Sequence, residues 1–348
     1  MLSCMPTRTR PPSDTPRLLS MADIAQAAGV SESTVSRALA DNPVVSARTR
    51  AHVQKIAQDA GYRINPVARC LRSRRTGIIA VAIPLVHQRD QHLSDPFMMT
   101  MLALLADALT ARGYSMLLSK TARHTDGWVV DLVCAGHADG VIVVGQSFEH
   151  DAINAAVGRG VPVVVWGEQL PGQRYATVGS DNAEGAALAT RHLLEHGRDR
   201  IAFLGDERVP EAAARLAGFR AELARHGRTP QRNLLVRASF EADEAYRAVK
   251  AMLAKGARPD GVVACSDVIA LSAIRALGEA GLRVPQDVSV IGFDDIAMAA
   301  YSHPSLTTVR QDLPGGAALL VEKVLAAIAG EATTTHVLAP VLMVRESA

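Results

Sequence analysis

Between Asp23 and Leu39 the chain reads DIAQAAGVSESTVSRAL, and Glu32, Ser33, Ser36 and Arg37 in it are spaced to act together. At about 100° per residue they occupy an arc of roughly 140° on a short helix, on another side from an apolar edge of Val35, Ala38 and Leu39. Short hydroxyls, one carboxylate and one guanidinium on such a face are groups that meet base edges and phosphate oxygens. Asp267 follows VVAC-Ser266 and Asp294 follows VIGF, the positions beyond strand carboxyl ends where open α/β sheets hold ligands. A third candidate, HLLEH from His192 to His196, has the H-x-x-E-H spacing of a zinc peptidase. Five residues recur easily by chance and no third ligand is evident, so a solvated helix face is the better reading. The chain has no G-x-x-x-x-G-K-[ST] loop, no G-x-S-x-G elbow and no G-x-G-x-x-G after its first body strand. Ser180-Asp181-Asn182 reads as a strand-to-helix cap rather than a nucleophile. The sequence therefore nominates no catalytic residue, no metal and no cofactor.

The elements that position the first group are small. Ser20 with Asp23 three residues later forms a capping-box-like start, and Gly29 suits a stop after Ala28. Ser31 can cap the second helix, and Ser46 begins a third with a Val53, Ile56, Ala57, Ala60 stripe ended by Gly61. Three helices of this length bury little apolar area, which suits a helix-turn-helix that holds its second helix against a duplex. Charge agrees: residues 1–76 hold 12 Lys+Arg against 5 Asp+Glu, giving +7, whereas the other 272 residues hold 25 against 30, giving −5. A small basic head on an acidic body points to a polyanion partner. In INPVARCLRSRRTG, Asn65 can cap and Pro66 suits the first helical position, so one or two turns run from Val67 to Leu71. Ala68 and Leu71 share a side, amid Arg69, Arg72, Arg74 and Arg75. Such a helix is marginal alone and can form on a minor groove, with a leucine wedged into a base step.

With 348 residues, 48% of them hydrophobic, the chain exceeds the size of one core. Cys4, Cys70, Cys134 and Cys265 are too dispersed for a disulfide framework and fit free thiols in a reducing cytoplasm. Residues 1–19 lack the apolar centre of a signal peptide and read as a disordered tail, and no apolar run reaches membrane-spanning length. From Gly77 onward IIAVAI, YSMLLS, GVIVV and VPVVVW alternate with helical segments near 98–112 and 126–135. RIAFLG, NLLV, DGVVAC and VSVIGF repeat the alternation, with helices near 183–196, 212–225, 242–255 and 268–280. Continuous apolar runs of this kind suit parallel strands buried on both faces. The expected architecture is a small all-α helix-turn-helix head, 20–64, a hinge helix and linker, 65–76, and an α/β body, 77–348. The body is two doubly wound lobes, near 77–177 and 178–305, with the remaining tail crossing between them.

The segment from Asp23 to Leu39, the GYRINPVARCL stretch and the α/β pattern after them resemble the lac repressor (LacI/GalR) family of transcription regulators, over nearly the whole chain beyond residue 20. The resemblance implies a homodimer or tetramer that represses by binding operator DNA, and a periplasmic-binding-protein-like body holding a small sugar or sugar derivative between its lobes. Mapped onto this chain it places Glu32 and Ser33 at base-choosing positions, Arg37 on a guanine, Thr34 and Ser36 on phosphate, and Leu71 with Ala68 in the minor groove. Cys70 stands where a serine is expected, which weakens a polar contact and leaves the wedge. For the effector it implies Phe97, Arg215, Phe240, Ser266, Asp267, Asp294 and Gln311. Trp166, at the end of its strand, is a further ring platform. The location implied is cytoplasmic. The rival classes are an exported solute-binding module, which leaves residues 20–76 without a purpose, and a sugar-acting enzyme, for which no acid–base or metal constellation exists.

Overall fold

A computed structural model of the chain describes residues 20–62, 75–84, 94–121, 127–146 and 149–348. It divides into two compact units after Arg74.

The first unit contains helices α1 (Met21–Ala28), α2 (Glu32–Leu39) and α3 (Ala47–Asp59). Ser20 and Asp23 make a reciprocal capping box, and Gly29 closes α1 at φ 64°, a left-handed conformation that favours glycine. Ser31 and Ser46 accept from the third backbone N–H of α2 and α3, as their sequence positions suggested. Ile24, Ala25, Val35, Ala38, Val45, Val53 and Ala57 form the core. So few apolar groups need polar help, and α3 supplies it. Arg50 donates to the carbonyls of Asn42 and Val45, at 3.2 and 3.1 Å, and Gln54 to the Ala38 carbonyl and the Asp41 carboxylate, at 3.3 and 2.8 Å. The loop after α2 is thereby tied down through orphan carbonyls of a helix end.

The second unit has two six-stranded sheets. In the first lobe lie β1 (Ile78–Pro84), α4 (Pro96–Ala111), β2 (Ser115–Thr121), α5 (Trp128–Cys134), β3 (Gly140–Val144), α6 (His150–Gly158), β4 (Val163–Trp166) and β5 (Ala176–Ser180). The second lobe follows with α7 (Asn182–Glu195), β6 (Ile201–Leu204), α8 (Pro210–Arg225), β7 (Leu235–Val236), α9 (Ala242–Ala254), β8 (Gly261–Ala264), α10 (Asp267–Glu279), β9 (Ser289–Asp294), α11 (Ala297–Tyr301) and β10 (Thr307–Arg310). The last elements are α12 (Leu313–Ile328), β11 (His336–Leu338) and β12 (Val341–Met343). The strand orders are β11-β5-β4-β3-β1-β2 and β12-β10-β9-β8-β6-β7, parallel throughout except for β10 with β12.

Strand β1 shows why its run is apolar without a break: Ile79, Val81 and Ile83 point to the side covered by α4 and α12, while Ala80 and Ala82 point to the side covered by α5 and α6. The helices come equally close in the second lobe, where a Cβ on Gly218 of α8 would lie 2.0 Å from the Ala183 carbonyl of α7. Cys134 and Cys265 are free thiols, and burial pushes Cys265 up to about 12, so it stays a neutral packing group.

The lobe limits differ from those drawn on the sequence. Strand β5 completes the first sheet, so the chain first crosses at Asp181. After β10 it returns, because Leu313, Ala317, Leu320, Val321 and Val324 of α12 bury against the first lobe. β11 then joins β5, and β12 crosses back to pair with β10. Three segments of chain thus join the lobes.

Candidate functional site

In the head, α2 presents Glu32 and Ser33 of its first turn and Arg37 of its last as exposed side chains of a capped helix. Ser33 and Thr34 hydroxyls each lie 2.9 Å from Ser31 Oγ, so the cap also fixes the first turn. Thr34 is half-buried, and Ser36 departs further from expectation: it is 8% exposed and shares the packed side of α2 with Val35. The arc drawn on an ideal helix ignored the tertiary packing of α1 and α3 on α2. Ala68 and Leu71 lie outside the described residues.

In the body, a cleft between the lobes is lined by Phe97, Trp166, Arg215, Phe240, Asp294 and Gln311, six of the eight side chains nominated for a ligand. It offers about 110 Å³ to water-sized groups, room for several waters and hence for a small solute. It sits beyond strand carboxyl ends beside the crossovers, which is where an open α/β sheet leaves a crevice. Phe97 opens α4 and Trp166 ends β4; their ring centroids are 6.3 Å apart at 48°. Trp166 cannot back away, since a Cβ on Gly316 of α12 would lie 2.3 Å from its ring. The two rings make a fixed apolar wall.

Arg215 is 5% exposed on α8 and is held from three directions. It donates through Nε to Asn182 Oδ1 at 2.8 Å and through Nη1 to the Cys265 carbonyl, while its guanidinium carbon lies 3.6 Å over the Phe293 ring. Asn182 in turn donates to Glu168 Oε2 at 2.8 Å, so a first-lobe carboxylate anchors the chain of bonds. Asp294, at the end of β9, accepts from Gln311 Nε2 at 2.7 Å across the second crossover. Its φ of 117° lies where L side chains rarely go, and strain of this sort persists only where surroundings impose it. Burial pushes its carboxyl well above the usual carboxylate range against the lowering effect of Arg215, and the Asp267 and Asp95 carboxyls raise it further.

Ser266 and Asp267 do not reach the cleft. Ser266 caps α10 by accepting from Ile269 N–H, and Asp267, fully buried, accepts from Thr308 Oγ1 and from Ile296 N–H. Asp267 thus ties β10 and the loop after β9 to the start of α10 rather than facing solvent. Conversely, Asp95, Ser180, Asn182 and Glu211 line the cleft without having been nominated. All four stand at a strand end or in a first helical turn, and applying the strand-end rule to the first lobe as well as the second would have found Ser180 and Asn182. Asp181 caps α7 as its sequence suggested, accepting from Glu184 N–H at 2.9 Å. His192 and His196 stack with centroids 4.2 Å apart, and no group of three or more metal-binding side chains exists among the described residues.

The chain is similar to known proteins over both of its parts. The model of the lacI family of bacterial regulatory proteins matches residues 20–65, and that of a periplasmic binding protein-like domain matches 190–348. The HTH-type transcriptional regulator CelR of Thermobifida fusca is 33% identical over 335 residues, spanning 93% of this chain and 96% of CelR. The chain belongs to the lacI family. As a lacI-family regulator it binds DNA and controls transcription, and it is not an enzyme. Among solved structures, a lac repressor dimer bound to operator and the anti-inducer ONPF is similar with a TM-score of 0.83 and 28% identity, covering 95% of this chain and 99% of that one. A CelR–cellobiose complex is similar with a TM-score of 0.71 and 29% identity, covering 95% of this chain and all of that one. No helix among the described residues is long and apolar enough to cross a membrane.

Proposed function

We propose that this lacI-family regulator is a cytoplasmic repressor that grips a near-palindromic operator as a homodimer and adjusts its grip to a small carbohydrate in the interlobe cleft. Glu32, Ser33 and Arg37 of α2 read the major groove, Thr34 meets phosphate, and residues 65–76 serve as the hinge whose Ala68 and Leu71 enter the minor groove. Phe97 and Trp166 stack on a sugar ring face, while Arg215, Asp294 and Gln311 fix hydroxyl directions as donors and acceptors. The observation that carries the reading is that side chains from both lobes and from the second crossover converge on one cleft. A ligand held there has different contacts in each lobe arrangement, so it shifts their populations. If the lobe arrangement sets the separation of two hinges, operator and effector affinities alter each other reciprocally.

The test begins with operator selection from random duplexes using the full chain, followed by gel shifts across a salt series and a neutral-sugar panel. The expected result is sequence-specific retardation that weakens steeply with salt, and a sugar that changes it by about 5- to 150-fold. Arg37→Ala should then lose about 1–3 kcal/mol of discrimination at one base pair while melting like the parent. Failure to retard any sequence at about 0.15 M salt would end the repressor reading.

A further inference from the structure

Three carboxylates line the cleft: Asp95 at the N-cap of α4, Glu211 in the first turn of α8, and Asp294 at the end of β9. Among the described lining residues Arg215 is the one cation, and its Nε, its Nη1 and one face of its guanidinium, which lies over the Phe293 ring, are already occupied. Among the described residues no guanidinium or ammonium bonds the carboxylates. Asp95 accepts from the Met98 N–H at 3.1 Å and from the Phe97 N–H, both of its own helix start, and Asp294 accepts from Gln311. Glu211 accepts from its own backbone N–H and from no other described group. Burial pushes all three above the usual carboxylate range; Arg215 draws Glu211 and Asp294 part of the way back, and weaker like-charge effects act upward, Glu241 on Asp95, Glu168 on Glu211 and Asp95 on Asp294. Asp95 comes from the first lobe and the other two from the second, so the free cleft sets like charges against each other across its width. An independent feature marks the same space as a ligand site: Ser180 Oγ is buried, lines the cleft and has no hydrogen-bond partner among the described residues.

A neutral polyol would give hydroxyl hydrogens to these acceptors and leave three carboxyls opposed by a single guanidinium, with burial still working against their ionised forms. An ammonium group gives three N–H donors, cancels a charge, and is attracted by the faces of Phe97, Trp166 and Phe240. Building on the reading of this cleft as the effector site, we propose that the effector carries a protonated amine on a hydroxylated scaffold, with the ammonium seated among Asp95, Glu211 and Asp294 and a hydroxyl on Ser180.

Matched pairs test this on the full chain: glucose against glucosamine, and cellobiose against its 2,2′-diamino counterpart, by titration calorimetry at a pH where the amine is charged. The amine of each pair should bind about tenfold or more tightly. That ratio should fall to within about threefold in Glu211→Gln or in Asp95→Asn. Operator retardation by each variant serves as the folding control, and the wild-type ratio decides the matter if a variant does not fold. Equal or tighter binding of the neutral member overturns the ammonium and leaves a carbohydrate site standing. Binding of neither member overturns both this inference and the carbohydrate reading. An amine preference unchanged in both folded variants overturns the assigned seat.

Discussion

Asp206 and Asp294 occupy corresponding places, each at or just past the carboxyl end of a strand in the second-lobe sheet, yet their surroundings treat them in opposite ways. Asp206 takes Arg208 Nη2 at 2.6 Å and Arg237 Nε at 3.0 Å, and the Arg208 bonds above all hold its carboxyl far below the usual range. Asp294 receives one amide N–H from Gln311, sits on strained backbone and is pushed upward by burial. The cations that satisfy Asp206 come from its own lobe, two residues along and from the end of the adjacent β7. Asp294 instead faces a gap whose far wall carries Asp95. Asp267, at the start of α10 after β8, is a third outcome: buried, satisfied by Thr308 and Ile296, and structural. A strand-end carboxylate is thus a location, and the donors that reach it decide between clamp, tie and binding group.

That contrast can be broken by experiment. The largest effect belongs to Asp267→Ala, which strands the Ile296 N–H and the Thr308 hydroxyl in the interior and should cost about 2–4 kcal/mol in urea unfolding. A loss near zero would mean that Asp267 is not the tie described. Next, Asp294→Ala should abolish the effector response, a coupling of about 1–3 kcal/mol, while operator binding without ligand persists. A normal response in that variant would remove Asp294 from the binding group.

A pH series gives the third contrast. Burial raises Asp267 to about 7, so between the unfolded value near 3.8 and about 7 the native state holds the extra proton. Its contribution to stability therefore declines as pH climbs through that window, and Asp267→Asn should flatten the slope between pH 5 and 7. Asp206 has the reverse sign. Its depressed carboxyl stabilises above the ordinary range and loses that contribution only in strong acid, below about pH 4. The smallest effect is Arg237→Ala: the guanidinium side chain is 64% exposed and solvent screens the pair, so unfolding should shift by about 0.5 kcal/mol or less. A cost several times larger would show that the clamp is tighter than its exposure implies.

Much of this was legible in residue order. The capping serines, the stop at Gly29 and the apolar runs named the three head helices and eight of the strands, because caps and burial patterns act over a few residues. The sequence did not disclose α6, α11, α12, β5 or the short β10, β11 and β12. At the site, Phe97, Trp166, Arg215, Phe240, Asp294 and Gln311 were nominated and line one cleft, whereas Ser266 and Asp267 line none. Ser36 was assigned to the outward face and is packed. The same local letters, an acidic residue after an apolar strand, described Asp267 and Asp294 equally well.

Local chemistry by itself determined the helix starts, the strand-rich body, the opposed charges of head and body, and membership of a lacI-type pattern, since each depends on neighbours in the chain. Tertiary structure alone decided which lobe owns β5 and α12, which carboxylate is clamped, which is tied and which is left facing the cleft. Those outcomes depend on donors that arrive from up to 41 residues away, as Thr308 does for Asp267, and on the aspartate that the opposite lobe sets across the gap.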